Sequence, residues 1–171
     1  MRTAILALIL ALTATSAFAQ QDRVLMAVKP VFDAVKQAER DERASPPPTT
    51  DAERLVHLGR LDRAGHDSVA LVDFKSLTPT EAQRARGVIE LRVEPNDRAY
   101  RAMLLDLLPD EGWFSCKTYG QEACAAAFYI LGHAPPAMQR QLLPAIEKMA
   151  ASGEADPAQV AELKARMARN P

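Results

Sequence analysis

The stretch 112-GWFSCKTYGQEACAAAFYILGHAPP-136 decides how the chain is read, because it holds the only tryptophan, both cysteines and one of the three histidines. From Gln121 to about His133 it is alanine-rich, and Ala123, Ala126, Ala127 and Ile130 recur at helical spacing. A face built from such small side chains lets a neighbouring helix approach closely, so this helix belongs at the centre of a helical domain. Thr118-Tyr119-Gly120-Gln121 has the spacing of a capping box at its start. Pro135-Pro136 ends it and opens the next helix.

Helical patterns continue on both sides. Downstream, Met138, Leu142, Ile146 and Met149 face inward until Gly153, and Asp156-Pro157 caps a last helix carrying Val160, Leu163 and Met167. Upstream, Asn96 or Asp97 starts a helix with Tyr100, Leu104, Leu107 and Leu108, which Pro109-Asp110-Glu111-Gly112 stops. Asp51 caps a helix with Leu55, Leu58 and Leu61 that Gly65 ends. Between these, Thr78-Pro79-Thr80-Glu81 is a capping box with proline at the first helical position, predicting a helix that runs on through Val93. The alternative there is a short β-hairpin pairing 69-VALVDF-74 with Val88 to Val93. Further upstream, Val24, Leu25, Val28, Val31, Phe32 and Val35 form a helical stripe, with Pro30 kinking it or opening a second piece. The prolines of Ser45 to Thr50 then make a stiff linker. The expected fold is all-α, a small orthogonal or bundled domain of about six helices without internal repeats.

The N-terminus sets the compartment. MRTAILALILALTATSAFAQ carries one positive charge at Arg2, a short apolar run and the small-x-small triplet Ala17-Phe18-Ala19. It reads as a secretory signal peptide over 1–19, followed by an N-terminal helix and proline-rich linker over 20–50 and a helical domain over 51–171. The expected location is periplasmic or secreted, with no integral membrane segment once the signal is removed. The formal charge of −1 falls by one more when Arg2 is cleaved off, and acidic and basic residues are mixed along the chain. No basic block or basic–aromatic stripe points to nucleic acid. Only 5% of residues are aromatic, which favours helices over sheets. The run Glu39-Arg40-Asp41-Glu42-Arg43 reads as a solvated helix end.

In an oxidising compartment, Cys116 and Cys124 are expected to form one disulfide, contributing on the order of 2–3 kcal/mol by closing a short loop. The competing readings are a reactive thiol at a helix start and a zinc site made from both thiols and His133. The latter spacing matches no zinc pattern, so no metal and no cofactor is expected. His133 at a helix end reads either as a cap on exposed carbonyls or as a general base or ligand-gripping donor. Ser115 is the nearest hydroxyl, with Asp106, Asp110 or Glu111 as acids that folding has to bring up. Trp113-Phe114 reads either as a core anchor or as an exposed patch for a sugar ring, peptide or protein. His57 and His66, nine residues apart, lack the i, i+4 spacing of a helical metal pair and read as solvated or capping residues.

The order Asn96-Asp97, leucine-bearing helix, Gly112-Trp113, Gly120, alanine-rich helix ending His133-Ala134, then Gln139 resembles an exported bacterial family of domains of unknown function. That family shows a Gly-Trp-Pro turn, an alanine-rich helix closing in Gln-His-Ala and a downstream glutamine. The resemblance spans roughly residues 53 to 168. This chain has Phe114 in place of the proline and Gly132 in place of the glutamine, and lacks the closing Gln-Tyr-Gly-Thr-Gln segment. The resemblance implies no reaction, only positions: Trp113, Gly120, His133 and Gln139. The expected function is a non-catalytic binding or interaction protein of the bacterial cell envelope, meeting a protein or cell-wall ligand. The alternative is an envelope hydrolase or transferase using His133 with a carboxylate or Ser115.

Overall fold

Among the residues described by the computed structural model, 2–169 with side chains from Arg23 onward, the chain is helical and contains no strand. The helices are α1 (Arg2–Ala44), α2 (Asp51–Asp67), α3 (Pro79–Asp106), α4 (Cys116–Tyr119), α5 (Gln121–Gly132), α6 (Pro136–Ala151) and α7 (Pro157–Arg169). No helix among the described residues is long and apolar enough to cross a membrane. The side chains of the expected signal peptide lie outside the described residues.

Local chemistry explains most boundaries. Thr50, rather than Asp51, caps α2: its side chain accepts from the Glu53 amide, while Glu53 reaches back to the Thr50 amide. Thr78 and Glu81 form the same box at the start of α3. α2 continues past Gly65 to Asp67, because Gly65 faces Val93 across a tight helix contact instead of ending the helix. The β-hairpin alternative is overturned. Residues 69–71 and Phe74 belong to two 3-10 turns, Ser68–Leu71 and Phe74–Ser76, with Val72 and Asp73 linking them. Val88 to Val93 lie inside α3, where the buried residues Ala85, Ile89 and Val93 repeat every four. No new helix starts at Asn96 or Asp97, since α3 runs straight through Pro95. The amide that Pro95 lacks would have met the carbonyl of Leu91, and Leu91 is 80% exposed, so water can serve that oxygen.

α5 packs chiefly against α2, and the smooth face predicted for α5 is what permits it. Gly59 of α2 lies against Ala126 of α5 so closely that a Cβ built on Gly59 would stand 2.9 Å from the Ala126 Cα. The main apolar cluster surrounds this pair, with Leu55, Leu104, Trp113, Phe114, Leu131 and Ile146 all fully buried. A second, smaller cluster forms where α1 meets α3, from Val24, Val28, Val31, Ala85, Ile89 and Val93. The N-terminal helix is therefore packed rather than a free arm. Ion pairs reinforce it, Glu39 with Arg92 at 3.0 Å and Arg23 with Glu81 at 3.4 Å, and Glu42 meets His57, which is therefore not the solvated residue expected. The charged run from Glu39 to Arg43 thus does more than meet solvent.

Candidate functional site

Along α2 the buried apolar side chains stop after Leu58, and along α3 they pause between Val93 and Leu104. The positions between are Asp62 and His66 on α2 and Asp97 on α3, so a polar seam separates the two apolar clusters. His133, the residue that closes α5, turns its ring into the same seam. Its Nδ1 stands 3.3 Å from Asp62 Oδ2. His66 Nε2 lies 3.1 Å from Asp97 Oδ2 and 3.9 Å from Asp62 Oδ1. The two imidazoles stack face to face, centroids 3.7 Å apart and planes within 5° of parallel. Asp62 is only 2% exposed and Asp97 is buried, whereas both histidine side chains keep about a quarter of their surface open to solvent.

The electrostatics of the seam follow from these positions. Burial pulls the His66 pKa down, but the hydrogen bond its ring donates to Asp97 and the charges of Asp97, Asp62 and Asp67 outweigh it and leave the pKa raised. Tyr100 is pushed up to about 12, first by burial and then by the negative charges of Glu39, Asp62 and Asp97. Beside His133, Tyr129 donates its hydroxyl to Asp67 and presents its ring edge to the imidazole at 4.7 Å. Burial and the Asp67 bond hold the Tyr129 proton on well above the usual range. A pocket of about 170 Å³ opens next to His133, between Arg63, Tyr129, Gln159, Glu162 and Arg166.

Of Trp113, Phe114, Gly120, His133 and Gln139 the fold brings only His133 to this seam, while His66, expected to be solvated or capping, and Asp97, expected to start a helix, bond each other within it. Trp113 and Phe114 have no exposed surface and meet each other and Phe128 or Tyr119 edge to face, so they anchor the core and form no binding patch. Gly120 joins α4 to α5 at φ +85°, a conformation glycine adopts without strain, and this accounts for its place. It also replaces the predicted capping box, for Thr118 lies within α4 and α5 starts without a side-chain cap. Gln139 is buried and its amide donates to the carbonyls of Leu131, Gly132 and Ala134. Arg166 adds a 2.8 Å bond to Gly132. Gln139 and Arg166 thus satisfy the end of α5, and His133 is free of the carbonyl-capping role expected of its ring.

Cys116 and Cys124 are paired at disulfide distance, with Cα atoms 5.5 Å apart. The pairing removes both sulfurs from the thiol and zinc readings. Ser115 is buried with no hydrogen-bond partner for its hydroxyl, so it forms no dyad with His133. Asp110 and Glu111 are exposed in the loop after α3. The acid that holds His133 is Asp62, which sequence reasoning missed. Its signal was present: Asp62 and His66 stand four apart on one helix face, a spacing concealed when His66 was weighed only against His57.

Set against family models, curated proteins and solved structures, the chain matches none. What defines it is therefore a small all-α domain in which two apolar clusters enclose an Asp-His-His-Asp seam.

Proposed function

We propose that this is an exported, non-catalytic binding protein of the bacterial cell envelope, whose ligand is a small acidic group of the cell wall or of an envelope protein. The leader-like N-terminus and the paired cysteines support export. The observation that carries the ligand class is the pocket beside His133. The Arg63 side chain and an imidazole held by a buried carboxylate face it, a donor set suited to a carboxylate, while Arg166, bonded to Gly132 and Glu162, forms its wall. The Gln159 side-chain oxygen, buried without a partner, offers an acceptor for an N–H group on the same ligand. At about 170 Å³ the pocket is smaller than the roughly 300–1,000 Å³ of drug-sized sites, so it suits one residue or the end of a chain. The resemblance to an exported family of unknown function agrees with export and adds no ligand.

The test is co-sedimentation of the purified protein with isolated cell walls, repeated with Arg63→Ala. Arg63 is exposed and stacks on Tyr129 at 4.1 Å, so its loss leaves folding intact. Binding should weaken at least tenfold; wall binding equal to that of the unaltered protein would refute the pocket. One observation favours a second reading, a hydrolase or transferase. Asp62 orients His133 through Nδ1 and leaves Nε2 for proton transfer, the arrangement a general base needs. In that case Asp62→Asn abolishes turnover of wall fragments while binding persists.

A further inference from the structure

We infer that Asp62, His66 and His133 form a binding site for a divalent transition metal ion, with Zn²⁺ the best fit. Each offers one ligand atom, and the three atoms lie within 4.8 Å of one another. Two imidazole nitrogens and one carboxylate oxygen are the donor set of zinc sites that keep a fourth position open. A tetrahedral ion at about 2.0–2.1 Å from its ligands separates them by roughly 3.4 Å. The separations here, 3.3 Å from Asp62 Oδ2 to His133 Nδ1 and 3.9 Å from the other oxygen, Oδ1, to His66 Nε2, lie close to that value, and a turn of the carboxylate presents one oxygen to both. Little backbone movement is needed, because Asp62 and His66 are one turn apart on α2, and the Gly59–Ala126 contact fixes α2 against α5, which His133 closes.

Charge favours the same ion. Two carboxylates are buried in the seam, and among the described residues their ion-pair partners are the two histidines. Neutral imidazoles leave both negative charges uncompensated, while two imidazolium rings stacked at 3.7 Å repel. A divalent cation supplies two positive charges at one point with both rings neutral. Asp97 Oδ2 meets the same His66 Nε2 that faces Asp62, so it stands beside the ion as a further carboxylate rather than behind the ring. One change is required. A nitrogen lone pair lies in the plane of its ring, and no single ion lies in two parallel planes, so binding turns one ring out of the stack.

This inference does not depend on the acidic-ligand reading, because its test uses the metal alone. The purified, disulfide-intact protein is titrated with Zn²⁺ by calorimetry, with Mg²⁺ as control, while the imidazole ¹⁵N shifts are followed by NMR. The expected result is 1:1 binding of Zn²⁺ and none of Mg²⁺, with large shifts at His66 and His133 and none at His57. Affinity should fall at least a hundredfold in His66→Ala and in Asp62→Asn, and stay unchanged in His57→Ala, which alters the separate pair with Glu42. Absence of Zn²⁺ binding overturns the site. So does binding that shifts His57 instead, a result the NMR experiment reads on the unaltered protein even where a variant fails to fold.

Discussion

The two apolar clusters on either side of the seam are built by different means. The larger takes its bulk from aromatic side chains of one contiguous stretch, Trp113, Phe114 and Phe128, and a disulfide closes the same stretch. The smaller is a stripe of valines on α1 laid against Ala85, Ile89 and Val93 of α3, with ion pairs and a capping box holding its ends. One is fastened through aromatic packing and a covalent link, the other through a narrow aliphatic seam and charge. The site between them takes Asp62, His66 and His133 from elements of the larger cluster, and Asp97 from the stretch of α3 where the smaller one ends. Its geometry therefore depends on both, and substitutions in each should act on it differently.

The largest effect belongs to Trp113→Ala. Emptying a fully buried tryptophan site costs about 3–5 kcal/mol, enough to lower the melting temperature by on the order of 10 °C. Chemical denaturation measures it. A small loss would mean that Trp113 is a surface anchor after all and would break the contrast between the clusters at its strongest point.

Gly59→Ala should come next. The added methyl gains about 1 kcal/mol of helix propensity, but it meets the backbone of Ala126, which cannot step aside alone. Overpacking of this kind costs about 1–3 kcal/mol, so a net destabilisation is expected. The informative readout is the imidazole ring current: parting α2 from α5 moves Asp62 away from His133, and the His66 and His133 signals should shift even where the protein stays folded. Unchanged signals would show that the seam does not rely on this contact.

The difference between the clusters also explains what was legible in the sequence. Helix positions and most core residues follow local rules, because i, i+4 spacing, proline and capping boxes act within a few residues. The buried face of α5 follows from the spacing of Ala123, Ala126, Ala127 and Ile130, though not its start, and that of α6 from Leu142, Ile146 and Met149. Where local rules competed, the reading went wrong. Asn96-Asp97 as a helix start and Val88 to Val93 as a strand candidate suggested breaks that the buried stripe of α3 overrides. The seam was hardly legible, since it joins residues 62, 66, 97 and 133, and their proximity is a product of helix packing. The chemically conspicuous residues around Trp113 drew attention because they are rare, yet rarity there reflects packing. The aspartates that matter are common residues whose burial no local pattern announces.

The smallest effect tests the ends of the smaller cluster. Glu81 is buried, and its carboxylate accepts from the Thr78 amide at 2.9 Å and the Thr78 hydroxyl at 2.8 Å, with Arg23 nearby. Those bonds, the backbone one foremost, favour the charged form and hold its pKa below the ordinary 4.5. A depressed carboxylate pKa means that the unfolded chain takes up the proton first. Its contribution is therefore whole above the ordinary value and is lost as pH falls through the folded one. Glu81→Gln keeps an oxygen for the Thr78 amide but carries no such linkage, so the stability curves of the two proteins should converge below about pH 4.5. Because Arg23 and Glu81 tie α1 to α3, the loss should begin locally. Amide exchange at Val28 and Val31 should quicken on acidification before exchange at Leu131 in the larger cluster. Stability curves that stay parallel would remove Glu81 from the account. Simultaneous exchange at all three positions would show that the two clusters open as one unit, and the seam between them would then be a fixed part of the core, without an independently opening side.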